Sequence, residues 1–426
     1  MPLMFYIYRA VTWLIGPLTS ILFRLRKKIG REDGFRKFER RGFAGMARPK
    51  GLLIWVHVAS VGEMVTVLPL IRKLLEKFPE AQALLTSGTV TSAKIANDNP
   101  HERIIHQYVP MDHPGFAKRF VKHWRPDIGL FVESEIWPNL MHRAEQNNVP
   151  LFLINARMSQ NSFKNWKRFP ISVRHLLNQF NLILAQDSHS CVRYEMLGAK
   201  RIITAGNLKY DTPPLPYKAT ELQKLNQAIG NRPIWLAAST HETEEVSVAE
   251  THKNLKDKHP GLLSIIAPRH PQRGESLVKQ LTEMNLTIAR RSENQTIKAD
   301  TDIYLADTIG DMGLLYRLCE IAFIGGTLTP RGGQNPLEAA RLNTAIFYGP
   351  STENFSEMFT LMKDEDAGRA ITTQNDMTDM VDLLLSDATF RKKLSTNALK
   401  LIDKNKGATE ETLTAVTPFL EKKISR

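Results

Sequence analysis

GLLIWVHVASVGEMVTVLPLIRKLLEKF, residues 51–78, changes its period halfway. Residues 52–59, LLIWVHVA, form an apolar run of strand length, whereas VLPLIRKLLEKF, 67–78, spaces its apolar residues as one face of a helix. A strand that is apolar throughout must be covered on both faces, the condition of a parallel sheet between helices. The one carboxylate of the junction, Glu63, follows Ser60 by three residues. That is the capping-box spacing, so Glu63 reads either as a cap or as a carboxylate delivered to a strand end, and spacing leaves both open.

The alternation continues outward. ALLTSGT (83–89), RIIHQYVP (103–110), DIGLFVESE (127–135), PLFLINARM (150–158), NLILAQDS (181–188) and RIITAGN (201–207) are short apolar runs, separated by helical spacings such as FAKRFVKHW (116–124). YDTPPLPYKA (210–219) holds three prolines and stops it. It restarts with PIWLAAS (233–239), LLSIIAP (262–268) and IAFIGGT (321–327), then ends in a helical tail over 378–405. At 426 residues the chain exceeds what one core usually holds. The class is α/β, with two doubly wound Rossmann-like domains and a cleft between them. The expected boundaries are an N-terminal segment 1–48, a first domain 49–211, a linker 212–228 and a second domain 229–426 with the C-terminal helices.

Lys and Arg number 57 against 44 Asp and Glu, a net charge of +13, which selects anionic partners. No RNP, zinc-finger or helix-turn-helix pattern supports nucleic acid. The charge sits instead beside LMFYIYRAVTWLIGPLTSILF, 3–23, with RLRKKIGRE following at 24–32. A signal peptide carries its charge before the apolar run; here it comes after, as in an N-terminal anchor with a basic cluster against anionic headgroups on the cytoplasmic side. Arg9 and Pro17 suit a buried or interfacial helix instead. Cys191 and Cys319 are far apart, which fits a reducing compartment and offers no zinc site.

The unusual residues fall where strands end. ESEIWPNL (133–140) supplies Glu133 and Glu135, expected on one face if the strand runs through them. AGNLKYD (205–211) supplies Lys209, which alone would read as a surface lysine. APRHPQRGE (267–275) sets Arg269 and His270 between prolines, suited to an anion or equally to a surface turn. FIGGTLTPRGGQNPLEAA (323–340) ends a strand in two glycine pairs before a helix start near Asn335 and Pro336, with Glu338 in its first turn. Glycine-freed amides and a helix N-terminus form a candidate phosphate cradle, with the Ile309–Gly310–Asp311 turn beside it. Neither the Walker A nor the GxGxxG pattern is present. Asp211 and Asp307 are isolated, so no acidic cluster suits a divalent metal.

Taken in order, SVGE, ESEIWPNL, NARMS, GNLKYD, PRHP and GGTLTPRGGQNPLEAA resemble the 3-deoxy-D-manno-octulosonic acid (Kdo) transferase family over almost the whole chain. The resemblance implies a GT-B glycosyltransferase that needs no metal or cofactor. It transfers Kdo from CMP-Kdo to the lipid A precursor at the cytoplasmic face of the inner membrane, with the acceptor on the N-terminal domain and CMP-Kdo on the C-terminal one. It assigns Glu63 as general base and Glu133 and Lys209 as transition-state stabilisers. Pro268, Arg269, His270, Ile309, Gly310, Asp311, Asn335, Pro336, Leu337 and Glu338 become the CMP-binding residues. Family members often carry Glu at the position of Asp311 and His at that of Gln334. A helix N-terminus beside Glu63 would keep it ionised, and so weaken it as a base. Two rivals remain: another GT-B enzyme such as a nucleotide-sugar 2-epimerase, and a non-catalytic lipid- or nucleotide-binding relative.

Overall fold

The computed structural model describes residues 2–424. The chain divides into two compact units, Met1–Thr212 with Asn405–Arg426, and Pro213–Lys404. The first contains seven parallel strands: β1 (Leu53–Val58), β2 (Gln82–Ser87), β3 (Ile104–Tyr108), β4 (Ile128–Val132), β5 (Leu151–Ala156), β6 (Leu182–Ala185) and β7 (Ile202–Thr204), in the order β3-β2-β1-β4-β5-β6-β7. The second repeats the plan with β8 (Ile234–Thr240), β9 (Leu263–Pro268), β10 (Ile288–Arg290), β11 (Ile303–Leu305), β12 (Ile321–Ile324), β13 (Ala345–Tyr348) and β14 (Arg369–Ala370), in the order β10-β11-β9-β8-β12-β13-β14.

In each unit the chain builds outward from its first strand, then returns to build on that strand's other side. The direction reverses between β1 and β4, and again between β8 and β12. Loops at such a reversal diverge and leave a crevice at the carboxyl ends of the strands. The apolar run at residues 52–59 contains β1, buried on both faces as its composition predicts. Ile54, Val56 and Val58 face a cluster with Met64, Val67 and Ile71 of the helix that follows, while Leu53 and Trp55 face Phe120, Trp124 and Phe131 on the opposite side.

Two boundaries differ from the sequence expectation. The proposed linker 212–228 is extended only to Lys218; Ala219–Ile229 is a helix of the second unit. The last helix, Ala408–Ile424, returns to the first unit rather than closing the second. Its Leu413, Val416 and Leu420 join the cluster under β1, and Asp211 accepts hydrogen bonds from the amides of Gly407 (2.8 Å) and Thr409 (2.6 Å). No local pattern could report this, because Asp211 lies about two hundred residues earlier in the chain and the apolar surface under β1 about 350.

The N-terminal apolar run is divided. Helix α1 (Leu3–Ile15) ends at a 3-10 turn over Gly16–Leu18, and α2 (Thr19–Lys28) follows. At 1.5 Å per residue α1 is about 20 Å long, short of the ~30 Å hydrocarbon core of a bilayer. Among the described residues no helix is long and apolar enough to cross a membrane. The segment is fastened to the first unit instead. Tyr8 donates to Asp112 (2.9 Å), whose carboxylate also accepts from the amides of Asn139 (3.0 Å) and Leu140 (2.8 Å). Leu3, Ile7, Trp13, Leu14 and Leu18 remain exposed. Helix α3 (Val61–Lys77) then leads from β1.

Asp211→Ala would leave the amides at 407 and 409 without their acceptor. A loss of about 1–3 kcal/mol is expected, read as a lower urea midpoint. An unchanged midpoint would mean that the last helix docks by apolar contact alone.

Candidate active site

Glu63 is the third residue of α3, and its carboxylate turns back on the helix start. One oxygen accepts from the Ala59 amide (2.7 Å) and the other from the Ser60 hydroxyl (2.9 Å), while Ser60 Oγ accepts the Glu63 amide (3.2 Å). The cap expected from S-x-x-E therefore exists, displaced by one residue onto Ala59. It does not hold Glu63 in the ordinary carboxylate range. Burial pushes its pKa up to about 7 from 4.5, and the charges of Glu133 and Glu135 push the same way; the bonds from Ala59 and Ser60 oppose this and lose. The expectation that the helix start keeps Glu63 strongly acidic is thus reversed, because desolvation outweighs the local donors.

Glu133 lies one residue beyond the end of β4, with φ +59°. This left-handed step, uncommon for a side chain larger than glycine, breaks the strand's alternation. Glu133 and Glu135 accordingly do not share a strand face. Glu133 pairs with Lys209 (3.0 Å), and Glu135 accepts from the Trp137 indole (2.6 Å) and meets His57 Nε2 (3.2 Å). His57 is fully buried on β1, its other nitrogen 3.1 Å from Thr86 Oγ1. Burial alone would raise the Glu135 pKa, but His57 and Trp137 prevail and hold it low. Lys209 is positioned by a 3-10 turn over Leu208–Asp211: Asn207 accepts its amide (3.0 Å), and Asn155 accepts that of Leu208 (3.0 Å).

In the second unit Pro268 ends β9 and Arg269 and His270 follow it, exposed, with the Arg269 amide bonded to Thr240 O (2.9 Å). Arg273 is already committed to Glu245 (2.9 Å). In the neighbouring turn Ile309 is 84% exposed, while the Asp311 carboxylate is taken by Arg291 (2.7 Å) and Thr308. Asp311 is thus engaged through its Oδ2 by Arg291 and Thr308, while Ile309 and Gly310 are exposed.

The glycine-rich loop departs furthest from expectation. The amides of Gly326 (2.7 Å), Thr327 (3.1 Å) and Leu328 (3.0 Å) are not available to a phosphate, because they bind the carboxylate of Glu244, which also accepts the His241 amide (2.8 Å). Gly325 is required for a different reason: a Cβ there would lie 2.4 Å from Ser239 O of the adjacent strand. The helix after Asn335 and Pro336 is only Leu337–Ala340, with Asn335 accepting the Leu337 amide (3.1 Å) and Glu338 raised in pKa by burial. With the amides of Gly326, Thr327 and Leu328 committed, the polar side chains at this end are those of Arg269, His270, Asn335 and the unanticipated His241, beside the exposed turn at Ile309 and Gly310. A signal for His241 was present: STHETEE follows the first strand of the second unit as SVGE follows that of the first. Among the described residues no three His, Cys, Asp or Glu side chains group as a metal-binding set.

Two parallel doubly wound units, each with charged side chains at its point of strand reversal, define the GT-B fold class. UDP-GlcNAc 2-epimerase from Neisseria meningitidis shares this fold, with a TM-score of 0.59 over 87% of this chain and 100% of that one, at 12% identity. Sequence separates the two. A family profile described as 3-deoxy-D-manno-octulosonic-acid transferase (kdotransferase) matches residues 36–212. The 3-deoxy-D-manno-octulosonic acid transferase of Rickettsia bellii is 32% identical over 98% of this chain and 100% of its own length. That of Haemophilus influenzae is 32% identical over 91% and 92%. The chain belongs to the 3-deoxy-D-manno-octulosonic acid transferase family and is an enzyme of glycosyl transfer.

Because the folded pKa of Glu63 lies above its ordinary value of 4.5, the folded state binds the proton more tightly, and stability contributed by this group falls as pH rises from 4.5 to 7. Glu63→Gln removes the charge and is expected to raise Tm at pH 8 while changing it little at pH 4. A Tm lowered at pH 8 would contradict this.

Proposed function

We propose that this chain is an inverting glycosyltransferase that moves Kdo from CMP-Kdo to a lipid A precursor at the cytoplasmic face of the inner membrane. The observation that carries the reading is Glu63, a buried carboxylate with a pKa near 7 at the carboxyl end of β1. General bases work best when their pKa lies near the operating pH. Each oxygen of Glu63 has one donor and keeps a second lone pair for a substrate hydroxyl.

In the proposed reaction Glu63 takes the proton of the acceptor's primary hydroxyl as that oxygen bonds to the anomeric carbon. The bond from that carbon to the CMP phosphate oxygen breaks, and its electron pair leaves with CMP. A single displacement inverts the configuration. Lys209, held by Glu133, supplies positive charge beside the developing oxocarbenium-like sugar's oxygens, and the Glu133 carboxylate offsets the positive carbon. Arg269 and His270 take up charge on the departing phosphate, and exposed Ile309 offers an apolar surface to the cytosine. Asn335 and Glu338 line the same end of the second unit.

The acceptor accounts for the N-terminal segment. Trp13, Leu14 and Leu18 expose an apolar face, and the basic run from Arg24 to Arg31 follows it. An apolar face beside cations suits a helix pair lying in an anionic membrane surface rather than crossing it.

Purified protein given CMP-Kdo and lipid acceptor should release CMP as the acceptor gains the mass of Kdo; CMP release without that gain would refute the acceptor. Glu63→Gln should lose at least about 100-fold in transfer while binding CMP-Kdo normally, and wild-type kcat/KM should fall below a limb near pH 7. Unchanged transfer would remove Glu63 as the base. Replacing Trp13 and Leu14 together by Glu should weaken binding to anionic vesicles and spare turnover of a short-chain soluble acceptor; equal vesicle binding would exclude this surface.

A further inference from the structure

The loop after β8 holds a histidine to which the mechanism above gives no task. His241 lies at the carboxyl end of β8, beside the reversal point between β8 and β12. Its surroundings are built. The β8–β9 register shifts between Ala238 and Thr240, a bulge that re-aims the chain at Ser239. Ser239 (φ +56°) and Thr243 (φ +79°) both take left-handed conformations that cost energy for side chains other than glycine. Glu244 fixes the His241 amide from below. Gly326 keeps room for the ring, since a Cβ there would lie 3.1 Å from His241 Cδ2. Strain on both sides of one residue, at the end of a sheet where ligands bind, marks a side chain held for contact.

Gln334 decides what that contact is. Its side-chain amide donates to His241 Nε2 (3.2 Å), which makes this nitrogen an acceptor and leaves the proton on Nδ1. Nδ1–H has no partner among the described residues. Burial, together with the neighbouring His270, Arg331, Arg269 and Arg273, disfavours a proton charge on His241. Of the three carboxylates that follow, Glu242 is exposed to solvent, Glu244 is saturated by four amides and Glu245 is paired with Arg273. The His241 and His270 rings stand 5.6 Å apart at 82°. One donor-bearing group thus sits directly beside the proposed phosphate contacts, among several basic side chains.

A nucleotide-activated ulosonic acid brings two anions joined through a single carbon, since the anomeric carbon carries both the carboxylate and the oxygen to the phosphate. Arg269 and His270 suit the phosphate, and the adjacent place is filled by His241. We propose that His241, fixed in one tautomer by Gln334, recognises the carboxylate of the donor sugar acid and so selects it over neutral nucleotide sugars. This rests on the donor reading given above. Gln334 is a positioning residue, acting only through the imidazole.

The test compares two probes, CMP and CMP-Kdo, by calorimetry on the full chain. His241→Ala should weaken CMP-Kdo by roughly 10-fold or more while CMP stays within about twofold, the size expected for losing one charge-assisted hydrogen bond. Gln334→Leu, which leaves the imidazole in place, should produce the same selective loss. His241→Asn, whose amide nitrogen overlies Nδ1, should recover part of it. Equal losses for both probes, or no loss in either variant, would overturn the assignment of His241 alone. A wild-type chain that binds neither probe would overturn the donor reading and this inference with it.

Discussion

Three carboxylates compete for two partners at the ends of β1 and β4. The strands are adjacent and parallel, with His57 opposite Phe131, so their carboxyl ends deliver Glu63, Glu133 and Glu135 to one side of the sheet. Lys209 pairs with Glu133, and His57 with Trp137 compensates Glu135. Glu63 is left with two neutral donors and two repelling neighbours in a buried position. The group without a counter-charge becomes the one that accepts a proton near neutrality. Its basicity is a consequence of arrangement rather than of any feature of the residue itself.

The second unit gives the contrast that explains why position alone is not function. Glu244 occupies the same place relative to β8 as Glu63 does relative to β1, a carboxylate at the start of the helix that follows the first strand. Burial raises its pKa as well. Yet each of its oxygens already accepts from two amides, so no lone pair is left for a substrate, and the carboxylate serves as the pin that folds the glycine-rich loop. Hydrogen-bond saturation separates Glu244 from Glu63, the base proposed above.

The sequence was most legible where a pattern is local. The apolar strand at residues 52–59, its doubly covered faces and the repetition of the plan after the prolines follow from periodicity, and the placing of Glu63, Lys209 and Arg269 at strand ends follows from the same pattern. What it concealed depends on distant partners. The left-handed backbone at Glu133 undid an inference from strand alternation. The glycine amides looked open because Glu244 is some eighty residues away in sequence. The last helix joined the first unit because its apolar stripe matches the underside of β1, which no window along the chain contains. The N-terminal run read as an anchor or as a buried or interfacial helix; Pro17 hinted at the break after Ile15, but the tie from Tyr8 to Asp112 joins residues about a hundred positions apart.

The proposed transfer depends most on the proton affinity of one carboxylate, Glu63. Infrared difference spectroscopy across pH, with Glu63→Gln as the reference for assignment, reads that group directly. A protonated-carboxyl band that titrates with a midpoint near 7, and whose midpoint falls when Glu133 is replaced by Gln, is the predicted result. A midpoint near 4.5, unmoved by that replacement, would contradict the claim that crowding and burial make Glu63 the base.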